Sequence, residues 1–229
     1  MKYLAYHYVN FGERQERMGV NQELNALQKE VTRQRILEAG FRLFAEKGIE
    51  KVTMTDVAEA AGLGVATVYR YYSTKPALAL GISAWSWEQY LAPTLRQAEG
   101  RRVTAAAEFR YFLDVFLDLY RNHKDLLRFN VFFNIYVEND RVPQEAMSPF
   151  GAVVERVAEQ FHRLWEKGER DHTLREGVSE KEMFFSSLHL MLAAVTRYAV
   201  GLVFDGGLDP ERELLLLKNM LLREYTRME

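Results

Sequence analysis

The spacing of apolar residues is the feature of this sequence that most restricts its fold. Apolar side chains recur at intervals of three and four residues, and no run alternates apolar and polar residues with a period of two. The first spacing places apolar groups on one face of an α-helix, whereas the second is typical of a half-buried strand. Two such stripes are Ile36, Gly40, Leu43 and Phe44, and Phe109, Phe112, Val115/Phe116 and Leu119/Tyr120. The sequence therefore predicts an all-α chain.

Residues that end helices divide this pattern into segments. Gly48 and Gly62 each follow an apolar stripe, at the position after a helix where a left-handed glycine is common. Segments 139–149, 168–180 and 205–210 are polar and rich in Gly, Pro and Asp, which predicts loops. We therefore predict helices near 30–47, 54–61, 65–72, 75–95, 103–121, 124–139, 150–168, 179–204 and 211–227. Short helices give way to long, aromatic-rich ones near residue 80, which predicts a domain boundary there.

Composition and charge exclude several classes of protein. The 229 residues are 48% hydrophobic and 27% charged, which is ordinary for a globular chain. The net charge of -2 excludes a polybasic chain that holds nucleic acid by bulk charge. Residues 1–80 carry 11 Lys+Arg and 9 Asp+Glu, whereas residues 81–229 carry 19 and 23. Any contact with phosphate is therefore expected in the N-terminal part.

The sequence predicts no metal, no cofactor and no catalytic site. Without cysteine, the chain cannot form disulfides, Cys-ligated zinc sites, iron–sulfur clusters or a thiol nucleophile. No two of the five histidines are three or four residues apart, which excludes a helical metal pair. Gly-rich phosphate loops and the HExxH and GxSxG motifs are also missing, so nothing favours an enzyme.

We expect no membrane contact and a cytoplasmic location. The most apolar stretch is Met183–Phe204, but its longest uncharged run is the 14 residues before Arg197. A membrane span needs roughly 18, so this stretch is predicted to be a buried helix of a soluble protein. The N-terminal residues have no apolar core of a secretory signal.

Residues 53–75, TMTDVAEAAGLGVATVYRYYSTK, carry the most specific local pattern. Thr53 and Asp56 have capping-box spacing, with Asp in place of the usual Glu. A small apolar face then leads to Gly62, and Gly64 is an acceptable N-cap for a second helix. Two short helices joined by a glycine-containing turn form a helix-turn-helix.

The second of these helices carries groups that suit DNA. Tyrosine hydroxyls and a lysine hold phosphates, as Tyr69, Tyr71 and Lys75 can. Arg70 has the reach for a guanine edge and Thr67 for a thymine methyl or base edge. The alternative is that these residues form the solvated polar face of an ordinary helical bundle.

Residues 31–78 closely resemble the N-terminal DNA-binding domain of tetracycline-repressor (TetR) family regulators. The matching residues span about a fifth of the chain and are Ile36, Leu37, Ala39, Leu43, Phe44, Gly48, Thr53, Asp56–Val57–Ala58, Ala61–Gly62, Thr67–Val68–Tyr69, Tyr71–Tyr72 and Lys75. Two features depart from the pattern. Gly40 replaces a better helix former, which would allow another helix to approach closely. Gly64, Val65 and Ala66 are small or apolar where many relatives have Ser, Lys or Gln.

The resemblance implies three domains and their roles. Residues 29–80 would form a three-helix DNA-binding domain, residues 81–229 a larger helical ligand-binding and dimerisation domain, and residues 1–28 an extension of unknown role. Thr53 and Thr55 would lie against backbone phosphate, and Tyr69, Tyr71 and Lys75 would clamp phosphates. Val65, Ala66, Thr67 and Arg70 would face base edges, so base recognition would depend on Arg70, Thr67 and DNA shape.

The aromatic residues of 81–229 predict a ligand pocket. Most aromatics in such a domain are core residues, but a pocket between helices is also lined by aromatics and a few polar groups. The residues predicted to line it are Phe112, Phe116, Phe133, Trp165, His189 and Tyr198. His189 has an alternative interpretation as a buried core histidine.

The last two predicted helices, near 179–204 and 211–227, are apolar over wide faces. The resemblance implies that they form a four-helix homodimer interface. A dimer also fits DNA geometry, since two recognition helices contact half-sites about 34–36 Å apart, or multiples of that, in a palindromic operator.

The first 28 residues allow three interpretations. They contain too few Arg and Lys for a minor-groove arm. They are either a frayed leader, a segment upstream of a true start at Met18, or an extra helix that packs on the DNA-binding domain.

The main hypothesis is a homodimeric repressor released from a palindromic operator by a small apolar or amphipathic ligand. The alternatives are an activator or ligand-independent regulator of the same fold, and a helical binding or scaffold protein without operator binding.

Overall fold

The computed structural model describes residues 2–98, 104–140, 147–201, 207 and 209–227. Within these ranges all regular structure is helical, apart from one isolated antiparallel bridge between Leu174 and Thr226. The prediction of an all-α chain is confirmed. The described helices are α1 (Lys2–Lys47), α2 (Met54–Ala61), α3 (Val65–Tyr71), α4 (Lys75–Ala98), α5 (Ala105–Asn122), α6 (Lys124–Asn139), α7 (Ser148–Asp171), α8 (Glu180–Val200) and α9 (Pro210–Tyr225).

Helix α1 begins far earlier than the predicted start near residue 30. It is one continuous helix of 46 residues from Lys2 to Lys47. The first proline of the chain is Pro76, so no proline ends the helix upstream. Residues 22–31 are all exposed, which places this part of α1 outside the packed body of the protein. The described part of the N-terminal segment is therefore a continuation of α1, and its role stays open.

The C-terminal part of α1 packs with α2 and α3 around a small apolar core. Ile36, Leu37 and Phe44 of α1 are fully buried, as are Val57 of α2 and Val68 of α3. The backbone reverses at Gly48 (φ 83°) and Gly62 (φ 64°). Only glycine enters this left-handed region at low cost, so the prediction of glycine caps at both positions is confirmed.

Helix α4 crosses α1 at very short distance. Leu78 and Ile82 of α4 are fully buried, and a Cβ placed on Gly40 would lie 2.5 Å from Ile82 Cδ1. Real Cβ atoms essentially never approach that closely, so with a larger residue at this position the end of the Ile82 side chain would have to move. The close approach expected from Gly40 is confirmed.

Helices α5 to α9 form the larger part of the core together with most of α4. Helix α5 packs against α6, α7, α8 and α9, and its Phe109 is fully buried. Phe112 lies 5.2 Å from Phe161 of α7, and Phe161 lies 5.0 Å from Phe184 of α8, measured between ring centroids. Helix α7 continues to Asp171, beyond its predicted end at residue 168, because Gly168 stays helical and Leu174 packs directly on it.

Helix α8 is the one helix in the described ranges that is long and apolar enough to cross a membrane by composition. The core helix of a helical domain meets the same criterion, and Met183, Met191 and Val195 are buried within the protein. The sequence predicted a buried helix here. Helix α8 instead buries one face and exposes apolar residues on the other, because α5, α6 and α9 cover it from one side.

Candidate nucleic-acid interface and ligand cavity

A complete capping box fixes the start of α2. Thr53 Oγ1 accepts a hydrogen bond from the Asp56 backbone N–H at 3.1 Å, and the Thr53 backbone N–H donates to Asp56 Oδ2 at 2.7 Å. These hydrogen bonds from Thr53 hold the pKa of Asp56 below its ordinary value. The predicted capping pair is confirmed. The Thr53 hydroxyl also donates to Asp56 Oδ2. Both predicted phosphate contacts, Thr53 and Thr55, are exposed, but only Thr55 lies outside this box.

The turn between α2 and α3 is held by an arginine of α1. Arg35 Nη2 donates to the carbonyl oxygens of Ala61 at 2.6 Å and Gly62 at 3.3 Å. These carbonyls end α2, where the last carbonyls of a helix need partners from outside it. Arg35 therefore fixes the angle of the helix-turn-helix against α1. The sequence analysis missed this residue, since its partners lie 26 and 27 residues away.

Helix α3 buries one face and presents the other to solvent. Val68 is fully buried, whereas Ala66, Tyr69 and Arg70 are exposed. The Arg70 guanidinium carbon lies 5.8 Å from the centre of the Tyr71 ring. Exposed hydroxyl, guanidinium and aromatic groups thus share the outer side of this short helix. The remaining predicted contacts on α3, Val65, Thr67 and Tyr71, are half-buried.

Lys75, at the start of α4, is already bound within the protein. Its Nζ donates to the carbonyl oxygens of Glu50 and Val52, both at 3.0 Å. It also lies 5.8 Å from the centre of the Tyr136 ring of α6. Lys75, which was predicted to contact a phosphate, therefore connects the loop after α1 with α4 and α6. A lysine ammonium has three donors, two of which the carbonyls accept, and contact of the third with a phosphate stays a prediction.

A cavity of about 680 Å³ lies among α4, α5, α6, α7 and α8. Of the predicted ligand residues, Phe112, Phe116 and His189 line it. His189 is exposed, so its alternative interpretation as a buried core histidine does not hold. The lining that the sequence analysis missed includes Trp87, Tyr90, Asn130, Asn134, Gln160, Arg163, Lys167 and Arg170.

The other three predicted ligand residues lie outside this lining. Phe133 is buried and stacks on Phe129 with ring centroids 5.8 Å apart. Tyr198 donates a hydrogen bond to Glu213 of α9. Trp165 is half-buried and packs against the core. All three lie on apolar helical stripes, and the rotation of each helix turns them away from the cavity.

Several polar groups of the cavity are buried. Asn130 is only 7% exposed. Trp87 Nε1 and Gln160 Oε1 are buried without a hydrogen-bond partner in the part of the chain that is described. The Tyr90 hydroxyl donates to the Val115 carbonyl at 2.8 Å, and burial raises the pKa of Tyr90. The cavity is thus mainly aromatic and aliphatic, with a neutral tyrosine and a few buried hydrogen-bonding groups.

Helix α6 connects the cavity to the helix-turn-helix region. Its Asn130 and Asn134 line the cavity. Phe132, on another side of α6, packs on Gly48 at the end of α1. Near its C-terminus, Asn139 Nδ2 donates to Glu50 Oε1 at 3.0 Å. A shift of α6 at the cavity would therefore be transmitted to the loop that follows α1.

The two last helices expose apolar side chains. Leu216 and Met220 of α9 are 52% and 49% exposed, and Val200 of α8 is 53% exposed. Phe185, Leu190 and Leu215 are also exposed. We call these six residues the α8–α9 apolar face.

The chain is similar to known bacterial regulatory proteins. The family model of bacterial regulatory proteins of the tetR family matches residues 36–82. An uncharacterised HTH-type transcriptional regulator of Bacillus subtilis, YvdT, is 23% identical over 180 residues, which are 77% of this chain and 87% of that protein. Residues 36–82 thus carry a TetR-type DNA-binding region, and the chain is similar to HTH-type transcriptional regulators over most of its length. The matched residues contain α2, α3 and the start of α4.

Solved structures of other regulators share the fold over most of the chain. A putative transcriptional regulator of Saccharomonospora viridis in complex with choline has a TM-score of 0.69 at 16% identity and covers 87% of this chain and 99% of its own. FadR of Bacillus subtilis in complex with stearoyl-CoA has a TM-score of 0.62 at 16% identity, covering 83% and 95%. A TetR family protein of Vibrio parahaemolyticus has a TM-score of 0.61 at 20% identity, covering 86% and 99%.

All nine predicted DNA-contacting residues are exposed or half-buried. They lie at the start of α2, along α3 and at the start of α4. Their contact with DNA stays a prediction, as does the binding of a ligand by the six predicted pocket residues.

Proposed function

We propose that this TetR-family regulator is a homodimeric repressor that binds a palindromic operator and leaves it when a small apolar or amphipathic ligand enters the cavity. The observation that carries the proposal is the exposed face of α3, with Tyr69 and Arg70 pointing outward from a helix-turn-helix that Arg35 and Lys75 hold in place.

The DNA contact is supported by the chemistry of this face. Arg70 suits a guanine edge, for which bidentate arginine contacts are the commonest specific contact. Tyr69 and Tyr71 offer hydroxyls to phosphates. Val65, Ala66 and Thr67 are small enough for α3 to lie close to base edges in the major groove. DNA lies in the cytoplasm of a bacterium, so we place the protein there.

The dimer is supported by the α8–α9 apolar face. Patches of exposed apolar groups mark interaction surfaces, and these six exposed residues lie on two helices that pack against each other. One α3 contacts only a few base pairs, whereas a two-fold dimer contacts two half-sites. The described residues of the face include Leu216 and Met220 near the middle of α9.

Release by a ligand is supported by the cavity and by α6. A volume of about 680 Å³ lies within the range of small-molecule sites. The fold neighbours from Saccharomonospora viridis and Bacillus subtilis are complexes with choline and stearoyl-CoA, so related folds hold small molecules of different chemistry. A ligand that favours one position of α6 would favour one separation of the recognition helices and lower the population that fits the operator.

Two alternatives share this geometry. An activator or a ligand-independent regulator would use the same α3 face, and a scaffold would use the α8–α9 apolar face without contacting DNA. The exposed Tyr69 and Arg70 favour operator binding over a scaffold. The proposed function requires no catalytic step, and the relatives and fold neighbours named above are regulators.

A selection of random duplex DNA by the purified protein tests the proposal. We expect a palindromic sequence to be enriched, with affinity that falls steeply as salt rises because phosphate contacts release counterions. The Arg70→Ala variant is the control, since it should fold normally but lack the base contacts. Failure to enrich any sequence at low salt would contradict operator binding and favour the scaffold. Transcription from the selected site in vitro, with and without the protein, separates a repressor from an activator.

A further inference from the structure

The charges around the cavity are unbalanced. Arg163, Lys167 and Arg170 of α7 line it. Glu108 is the one carboxylate among the described lining residues. Glu159 and Glu166 of α7 lie four residues before Arg163 and Arg170, but they are not part of the lining. The residues that line the cavity therefore carry more positive than negative charge.

The cations share one side of the cavity with Gln160. Residues 160, 163, 167 and 170 follow one another at spacings of three and four, which puts them on one face of α7. Ten residues of helix span about 15 Å. Arg163 and Arg170 are exposed and Lys167 is half-buried, so the cations lie at the rim and leave the interior apolar.

Only one of these cations is neutralised. Lys167 Nζ donates to Glu108 Oε1 at 2.6 Å. Among the described ion pairs of the protein, neither Arg163 nor Arg170 has a carboxylate partner, although other arginines of the surface, such as Arg156 with Glu88, do. The net positive charge at the rim thus rests on two guanidinium groups.

A second observation concerns two residues that line the cavity, each of which has a buried polar atom without a hydrogen-bond partner in the described ranges. The Trp87 Nε1–H donor and the Gln160 Oε1 acceptor are buried and have no partner among the described residues. A buried polar group without a partner is unfavourable by about the cost of its desolvation. Both belong to residues that line the cavity, so the polar groups around it are not all paired within the described part of the chain.

We infer that the cavity binds an amphiphile with an anionic head, a carboxylate or a phosphate, held by Arg163 and Arg170 at the rim. The apolar body of the ligand lies against Phe112, Phe116 and Phe161 in the interior. Guanidinium groups match the planar geometry of a carboxylate and bind phosphate equally well. A cationic ligand would meet repulsion here, because the one lining carboxylate is already paired with Lys167. The inference rests on the proposed function in one respect, that this cavity is the effector site.

Four probes with the same alkyl chain test the head group: dodecanoate, dodecyl phosphate, dodecanol and dodecyltrimethylammonium. Each is titrated into the full-length protein below its micelle concentration, by calorimetry and by the fluorescence of tryptophan, since Trp87 lines the cavity. We expect at least one anion to bind tenfold or more tighter than dodecanol, and the ammonium to bind weakest. The tighter of the two anions identifies the head group. Equal binding of dodecanol and both anions overturns the inference, as does tighter binding of the ammonium.

Charge-removing variants then locate the head group. Arg163→Gln combined with Arg170→Gln should weaken binding of the preferred anion tenfold or more and leave dodecanol binding unchanged. Arg175→Gln removes the same kind of charge from an exposed position outside the lining and should change neither. The anion's affinity should also fall with added salt, whereas that of dodecanol should not. Unchanged anion binding in the double variant would show that these arginines do not hold it.

Release from DNA is measured separately, so that the two proposals fail in different ways. If the anion binds through Arg163 and Arg170 but leaves DNA binding unchanged, the head-group inference stands and ligand release is wrong. If dodecanol binds as tightly as the anions and releases the operator, ligand release stands and the head-group inference is wrong.

Discussion

The outer face of α3 and the α8–α9 apolar face are both exposed, but they differ in chemistry. Tyr69 of α3 and Met220 of α9 are each 49% exposed. Tyr69 stands beside Arg70, an always-charged group that remains well solvated, whereas Met220 stands beside other apolar side chains such as Leu216. The same exposed fraction is therefore favourable for the polar face of α3 and unfavourable for the α8–α9 apolar face.

The difference teaches what each face can bind. A charged and hydroxylated face loses little by staying in water and gains from phosphates and base edges. Removal of an apolar face from water is favourable, by about 25 cal/mol per Å² of apolar surface buried. Exposure alone identifies neither surface, whereas exposure combined with side-chain chemistry predicts DNA for one and a second copy of the chain for the other.

Leu216→Glu combined with Met220→Glu should have the largest effect. Two charges on the α8–α9 apolar face oppose its burial, so the protein should become monomeric. The loss of two-site binding should lower operator affinity by roughly 10²–10⁴-fold. Sedimentation velocity and gel shift measure the two effects. Leu24→Glu, at an exposed position of α1, is the control, and a wild-type monomer at micromolar concentration would contradict the dimer.

Arg70→Ala should weaken operator binding by about 1–3 kcal/mol and relax the base preference at one position. The arginine is exposed and free to reach a guanine edge from α3. Binding to the selected operator and to its single-base variants measures both effects. Arg110→Ala, an exposed arginine of α5, should change neither. Operator binding that survives Arg70→Ala intact would show that the base contacts are assigned to the wrong residue.

Lys75→Ala should act on both stability and DNA binding. Loss of the hydrogen bonds to Glu50 and Val52 should lower the free energy of unfolding by about 1.5 kcal/mol, the lower end for bonds to a charged group. Loss of a phosphate contact should weaken binding to all sequences alike and reduce the salt slope by about one. Thermal unfolding and salt titrations measure these, with the exposed neighbour Lys51→Ala as control. A lower Tm with an unchanged slope would leave Lys75 a purely structural role.

Asp56→Asn should have the smallest effect, and one that depends on pH. Hydrogen bonds from Thr53 hold the pKa of Asp56 below its ordinary value of 3.8. A lowered carboxyl pKa stabilises the folded protein above the ordinary value, and this stabilisation is lost as the pH falls below about 4. The Tm of Asp56→Asn should therefore lie below that of the wild type near neutral pH and approach it in acid. Glu59→Gln, at an exposed position on the same helix, is the control variant.

The helix-turn-helix could be predicted closely because its determinants are local. The capping pair Thr53 and Asp56 is three residues apart, and Gly62 ends α2 through its own backbone conformation. Arg35 could not be predicted, because it meets the carbonyls of Ala61 and Gly62 only after α1 has packed on α2. The start of α1 was missed for a related reason, since residues 2–29 lack the apolar periodicity that packing gives a helix.

The cavity was predicted only in part because its lining comes from five helices. Phe112 and Phe133 are both aromatic residues on apolar stripes, and no local pattern separates them. Phe112 faces the cavity, whereas Phe133 packs on Phe129, and the rotation of α5 and α6 about their axes decides between the two. The cations of α7 were overlooked because charged residues on a helix are usually solvated.

At the crossing of α1 and α4, the side chain of Ile82 packs directly against Gly40. Because protein interiors are packed as densely as crystals, a movement of one of two such closely packed helices is passed on to the other. Helix α4 also lines the cavity at Trp87. A ligand that displaces α4 would thus carry α1, α2 and α3 with it as one body, changing the position of the recognition surface and preserving its shape.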